Sequence, residues 1–414
     1  MGKIGFMDKK ERKYIYISNL NYSGSVYQTQ VLDWLNLYKT HNLEFDLIQA
    51  FHVKDLKRPG YLKKQIKGIR NSTSFFVGSL FLLPSIRILY IINAFLIFCK
   101  IFKYIIRYKE VLIFSRAIIG KEILVLRHFS PARIIFYFDA RAAAAEENKY
   151  VAALKNDYSL RRYNIIANTY YLVYQTLCAA DKIFVVSNVL KEYFLDTYHL
   201  HDKKFVSYPC LSDSSKFYYD TNIRNELRTA MGITEGTKVY IYSGGINEWH
   251  IAEKMINFIH NLFKHEKGAM LIFLTKSQVD FEKMLNNFGE LKAHSLAFSV
   301  PNNEVHKYLN AADFGFLFRE NTIMNNVASP TKFAEYMLCG LPVLISEGVG
   351  DYSDYAVKHN LGVLVKESEL NNPETFDFNN FLRMKFDRIK ISDIGIKNFS
   401  KDSIIDILIS EFKS

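Results

Sequence analysis

The sequence lacks the features that mark several common protein classes. Its 414 residues include only four cysteines, Cys99, Cys178, Cys210 and Cys339, with no paired or metal-ligand spacing among them. That pattern argues against a disulfide framework and suits a reducing compartment, so a cytoplasmic location is expected. No low-complexity segment interrupts the chain and 49% of it is hydrophobic, which excludes a disordered protein and predicts two globular domains. The N-terminal stretch Met1 to Lys13 is charged and has no apolar core of the kind an export signal needs.

Long hydrophobic runs are also missing. The most apolar segment, residues 75–106, contains SFFVGSLFLLPSI and ILYIINAFLIF, but Arg87, Lys100 and Lys103 divide it. The pieces, about 12 residues each, fall short of the ~18 expected of a spanning helix. Acidic residues are scarce in the same half: residues 1–180 carry 27 Lys and Arg against 12 Asp and Glu, whereas the remainder carries 26 against 30. The densest basic run, Lys54, Lys57, Arg58, Lys63, Lys64, Lys67 and Arg70, directly precedes the apolar segment. A basic run beside interrupted apolar helices over residues 54–107 has the pattern of peripheral contact with an anionic membrane surface. A pair of buried helices beside a solvated loop is the alternative. No nucleic-acid-binding motif accompanies the charge, so nucleic acid is not an expected partner.

What the chain does have is alternation. Short apolar runs recur at YIYIS (14–18), FDLIQA (45–50), EVLIFS (110–115), RIIFYFD (133–139) and KIFVVS (182–187). They recur again at KVYIYS (238–243), AMLIFL (269–274), LAFSV (296–300), FGFLF (314–318) and PVLIS (342–346). Continuous runs of this length suit strands buried on both faces of a parallel sheet. Val31, Trp34, Leu35 and Tyr38 follow the first run at one-face helical spacing. The fold class is therefore α/β, with two doubly wound, Rossmann-like domains. The proline-containing stretch Tyr208 to Asp213 places the boundary at 212, giving domains over 1–212 and 213–391. Residues 392–414 read as a C-terminal helix that packs back on the first domain. Ligands of such sheets bind beyond the carboxyl ends of the strands.

Ser329-Pro330-Thr331-Lys332-Phe333-Ala334-Glu335-Tyr336 reads as a helix start, with Ser329 as N-cap and Pro330 as first helical residue. A capping box would place Glu or Gln at the third position after the cap; Lys332 stands there. A cation at the positive end of a helix dipole is unfavourable by a few tenths to about 1 kcal/mol unless an external anion lies between them. Free amides, dipole and lysine together suit a phosphate; a capped surface helix with a solvated lysine is the alternative. Gly244 and Gly245 end the KVYIYS run, where glycine lets backbone amides approach a diphosphate. Arg319 ends FGFLF and Lys276 ends AMLIFL, adding cations at the same sheet edge if the strands are parallel.

These motifs occur in an order that resembles the donor-binding half of family-4 glycosyltransferases of the GT-B fold. The resemblance rests on YIYSGGINEWH, AFSVPNNEVHKYLNAAD, AADFGFLFREN and ASPTKFAEYMLCGLPVLIS, and covers residues 237–350. It extends more loosely to Asn21-Tyr22-Ser23-Gly24, which looks like the family's glycine-containing loop on the acceptor side. Ser115-Arg116, Asp139-Ala140-Arg141 and Glu146-Glu147 look like a pattern of some members. The resemblance implies that Glu335 holds the ribose hydroxyls of a nucleotide sugar. Gly244, Gly245, Ser329, Pro330, Thr331 and Lys332 would hold its diphosphate, and backbone near Val300 would meet the base. Many relatives have a second Glu eight residues before Glu335; here Val327 stands there, so donor-sugar recognition differs. The usual phosphate cations after the glycines are replaced by Ile246, Trp249 and His250, and Arg319 and Lys332 are expected to take over.

Asp139, Arg141 and Glu147 are the expected catalytic residues of the acceptor side, a carboxylate beside an arginine being able to position a hydroxyl or accept its proton. A structural Asp-Arg pair is the alternative. No Asp-x-Asp occurs, so no metal site and no cofactor are expected, and helix dipole and cations would neutralise the leaving diphosphate. The implied activity is metal-independent, retaining transfer of a sugar from a nucleotide-diphosphate donor to a glycan or lipid-linked acceptor in surface polysaccharide biosynthesis. A sugar-nucleotide epimerase and a catalytically degenerate membrane-associated scaffold are the alternatives.

Overall fold

The structure, a computed structural model, describes residues 9–22, 25–83, 89–245 and 251–414. Ser23 and Gly24, expected on the acceptor-side loop, lie outside the described residues, as do Ile246, Trp249 and His250. The described residues form two compact units. The first contains Met1–Val186, Leu190–Tyr208 and Ile409–Ser414; the second contains Ser187–Val189 and Pro209–Leu408. The division thus falls between Tyr208 and Pro209 rather than at 212, and residues 392–408 group with the second unit.

The first unit is built on a seven-stranded sheet: β1 (Lys10–Ser18), β2 (Phe45–His52), β3 (Val77–Leu82), β4 (Tyr108–Ser115), β5 (Arg133–Ala140), β6 (Lys182–Val185) and β7 (Phe205–Ser207). Its order is β3-β2-β1-β4-β5-β6-β7, and every pair is parallel. The second unit has a six-stranded sheet: β8 (Val239–Ser243), β9 (Met270–Leu274), β10 (Ser295–Phe298), β11 (Phe314–Leu317), β12 (Val343–Ser346) and β13 (Gly362–Val365). Its order, β10-β9-β8-β11-β12-β13, is again all parallel. Both sheets reverse direction of growth at their first strand, which is the doubly wound pattern. Each apolar run of the sequence overlaps a strand, because a strand covered by helices on both faces has no polar side to alternate with.

One part of the apolar segment 75–106 differs from the helices expected there. Val77–Leu82 is a strand paired with β2, and only Leu89–Arg107 is helical, as a single helix of 19 residues. Lys100 and Lys103 do not break it, because straight-chain residues cost a helix little.

Two buried clusters fix the ends of the chain's elements. In the first unit, Phe412 is fully buried and stacks on Phe184 with ring centroids 5.3 Å apart. It also meets Tyr38, Phe45 and Phe114 edge to face. In the second unit, Arg388 donates to the carbonyls of Leu309, Asn310 and Ala312 and to those of Cys339 and Gly340, at 2.7–3.2 Å. These are the last carbonyls of two helices, Val305–Ala311 and Thr331–Leu338, whose dipoles favour a cation there. Gly340 must be glycine, because its φ of 61° is left-handed and a Cβ would strike the Arg388 carbonyl.

Replacing Arg388 removes the donor from five buried acceptors at once. Arg388→Met is expected to destabilise the second unit by about 2–4 kcal/mol, read as a lower denaturant midpoint for that unit; an unchanged midpoint would show that water replaces the guanidinium.

Candidate functional site

Gly244 and Arg319 follow two adjacent strands of the second sheet, β8 and β11, across which the strand order reverses. The crevice beyond such a switch point is where open α/β sheets bind ligands. The helix Thr331–Leu338 starts in the same region and is tied to both strands by Tyr336. That hydroxyl accepts from Ser243 N at 3.3 Å and donates to the Phe316 carbonyl at 3.3 Å. Its ring occupies the place a side chain at Gly315 would take, so the glycine of the FGFLF run is a packing requirement.

Lys332, the second residue of that helix, reaches back over the sheet edge. Its ammonium lies 4.5 Å from the Tyr242 ring centroid and 3.5 Å from the Tyr242 hydroxyl. It lies where a Cβ on Gly244 would stand, but that flexible end could shift, so it is the φ of 140° at Gly244 that calls for glycine. The Gly244 amide is spent on the Leu274 carbonyl at 2.8 Å. Burial pushes the Lys332 ammonium down to about 7, helped by the nearby Arg319 cation and opposed in part by Glu335. Glu335, one turn later and only 9% exposed, is pushed up to about 7 by burial, against Lys332 and Lys401. Among the described residues, neither Lys332 nor Glu335 has an ion-pair partner, and the Thr331 hydroxyl has no hydrogen bond. The amides of Thr331 and Lys332 are the unsatisfied donors of a helix start.

Arg319 is held at both ends. Its amide donates to Ser346 Oγ at 2.8 Å, and its guanidinium donates to Asn325 Oδ1 at 3.3 Å. Lys276 is exposed just beyond β9, and Val300 lies partly exposed two residues beyond β10. The structure therefore gathers Gly244, Arg319, Thr331, Lys332 and Glu335, with Lys276 and Val300 on neighbouring strand ends. Gly245 follows Gly244, and its carbonyl accepts from Tyr242 at 3.0 Å.

Ser329 is not a cap. The N-cap is Pro330, without a side-chain bond, and Thr331 is the first helical residue. The Ser329 hydroxyl is buried instead, accepting from Cys210 N at 2.9 Å and bonded to the Tyr352 hydroxyl at 2.7 Å. It cannot reach a phosphate from there. Val327, in place of a second glutamate, is 1% exposed and its carbonyl accepts from Ser187 at 2.7 Å.

In the first unit the expected catalytic residues separate into two kinds. The Asp139 side chain is fully buried; it accepts from Tyr16 at 2.7 Å and from Arg141 Nε at 2.5 Å. The Arg141 guanidinium lies 4.1 Å from the Tyr208 ring centroid. Both carboxylate oxygens are committed and no solvent reaches them, so Asp139 and Arg141 form a structural pair rather than a group that touches substrate. Glu147 is different. It sits half-buried in the first turn of the helix Ala144–Leu154, where burial pushes its carboxyl up and Arg116 opposes the shift. Arg116 follows β4 at the switch point of the first sheet, with its amide bonded to the Ile17 carbonyl at 3.0 Å and a buried Nη1 that has no partner among the described residues. In the sequence Arg116 is only one residue of a pattern; its place at the β1–β4 gap is a topological fact that local spacing does not carry.

The chain matches no protein-family model and no curated protein sequence. Solved structures do match it over nearly the whole length. A glycosyltransferase from Rickettsia africae ESF-5 is 14% identical with a TM-score of 0.66, over 98% of this chain and 98% of that one. HepE from Anabaena in complex with UDP and glucose is 12% identical with a TM-score of 0.63, over 97% and 99%. WaaG, a glycosyltransferase involved in lipopolysaccharide biosynthesis, is 13% identical with a TM-score of 0.62, over 96% and 99%. The strand orders and these likenesses agree: the chain has the fold of the GT-B glycosyltransferases.

Proposed function

We propose that the chain is a glycosyltransferase that moves a sugar from a nucleotide-diphosphate donor to a glycan or lipid-linked acceptor, on the cytoplasmic side, in surface polysaccharide biosynthesis. The observation that carries the reading is the Lys332 ammonium. It is desolvated at the switch point of the second sheet, beside Arg319 and the free amides of a helix start, and among the described residues it has no ion-pair partner. A diphosphate supplies that anion, and Arg319, Lys332 and the helix dipole neutralise the leaving group without a metal. Glu335 takes the ribose hydroxyls, and the backbone near Val300 meets the base. On the acceptor side Glu147 replaces Asp139 as the carboxylate within reach of a hydroxyl. Structures of HepE hold UDP and UDP-glucose, which makes a uridine nucleotide the first donor to try. Retention of anomeric configuration is part of the proposal.

A panel of nucleotide sugars, scored by thermal shift and then by transfer to lipid-linked acceptors, tests the reading. Stabilisation by one donor and transfer that withstands chelator are expected. Conversion of the sugar with no acceptor present would make the chain an epimerase, and binding without turnover would make it a scaffold.

Lys332→Ala is expected to weaken nucleoside-diphosphate binding by about 10-fold or more, the worth of one charge-assisted bond. Calorimetry that finds equal affinity for the variant would remove Lys332 from the site.

The same groups set a pH dependence. Free Lys332 loses its proton above pH about 7, so binding an anion there takes up a proton, and affinity falls as pH rises past that value. Free Glu335 is protonated below about 7, so accepting ribose hydroxyls releases a proton, and affinity falls as pH drops. A profile with a maximum near neutrality is expected, its two limbs belonging to the coupled pair. Lys332→Ala should flatten the alkaline limb and Glu335→Gln the acid limb; calorimetry in buffers of different ionisation heat reads the protons directly.

A further inference from the structure

The helix Leu89–Arg107 carries two apolar stripes on adjoining faces. One stripe, including Ala94, Ile97, Ile101 and Ile105, is buried against β3, β4 and the helix Gly120–Phe129. The other, Ile91, Phe95, Phe102 and Ile106, recurs at helical spacing and is exposed, Phe95 by 63%. An exposed apolar stripe beside a buried one marks a surface that another apolar phase covers. By length and composition the helix could cross a bilayer, but its polar contacts hold it to the protein. Asn93 exchanges hydrogen bonds with the Leu83 backbone at 2.8 and 2.9 Å and donates to Glu122 at 3.3 Å, and Tyr104 donates to Asp46. These ties keep its inner face on the sheet, so the outer face is what remains to be covered.

The neighbouring surface continues both characters. The helix Gly120–Phe129 exposes Leu124 and Phe129, the latter by 69%. Between the two helices runs an apolar groove lined by Ile91, Phe95, Phe98, Val125 and Phe129. Along the other side, the helix Pro59–Asn71 exposes Lys63, Lys64, Lys67 and Arg70. Arg70 and Lys103 stand close enough to Lys100 to push its ammonium down, after burial, which is the larger cause. Lys103 covers the ring of exposed Phe76 at 4.1 Å. Among the described residues none of these six cations has an ion-pair partner. A second copy of the chain on this face would bring cations against cations, whereas anionic headgroups pair with them while acyl chains take the aromatic rings.

We propose that this face docks on an anionic bilayer, with the Leu89–Arg107 helix lying in the membrane plane, Phe95, Phe102 and Phe129 inserted, and Lys63, Lys64, Lys67, Arg70, Lys100 and Lys103 over the headgroups. The inference stands on the first unit alone and is independent of the transfer reaction. Flotation of the full chain with phosphatidylglycerol–phosphatidylcholine vesicles at low salt tests it. The parent protein is expected to float, with at least 10-fold less bound to pure phosphatidylcholine or at high salt. Phe95→Ser with Phe129→Ser should lose at least 10-fold in binding, at an unchanged thermal midpoint, and Lys64→Glu with Lys67→Glu should flatten the salt dependence. A protein that stays in solution with anionic vesicles overturns the proposal. So does a Phe95→Ser, Phe129→Ser variant that floats like the parent, or a stable parent dimer that the same variant makes monomeric.

Discussion

Two all-parallel sheets, each reversing its order at its first strand, are the constraint on which the candidate sites depend. Where the order reverses, the connections leave toward opposite faces, and the carboxyl ends of two adjacent strands stay uncovered. In the second sheet that gap receives Gly244 and Arg319, and the helix Thr331–Leu338 is fastened beside it through Tyr336. In the first sheet the corresponding gap receives Arg116. Residues far apart in sequence become neighbours because of strand order, before any side-chain chemistry is considered.

Lys332 shows what such a gap does to a charge. The side chain is drawn over the Tyr242 ring and against a glycine, where it is desolvated and feels the Arg319 cation. Desolvation and like charge both weaken the ammonium, and only the partly neutralised Glu335 works against them. Arg388 is the contrasting case: equally buried, it is surrounded by five carbonyl oxygens at two helix ends and serves only to hold those helices.

Much of this was legible in the sequence. The ten short apolar runs read as strands each overlap one, and Arg319 and Lys276 could be assigned to one sheet edge because parallel strands put their following residues on the same side. β3 was not legible, since an apolar run without periodicity reads as helix or strand alike. β7 and β13, three and four residues long, carried too little pattern. Ser329 obeyed the local preference for a cap, yet its hydroxyl went to Cys210, 119 residues away, and no local rule reports such a partner. Asp139 failed as a catalytic candidate for a similar reason. Its type and neighbours suited proton transfer, but Tyr16, from a different strand, and complete burial decided its role.

Phe412 carries a consequence for how the chain is made. The ring that fills the aromatic cluster of the first unit is synthesised after the entire second unit, about 370 residues later than Phe45 and Tyr38, which it contacts. The first sheet can form its strand pairs as it emerges, but its core keeps a hole the size of a phenyl ring until Phe412 arrives. Synthesis from the N-terminal end therefore leaves the first unit to mature after the second, and a chain stalled within the second unit exposes that apolar hole to whatever quality control surveys nascent proteins.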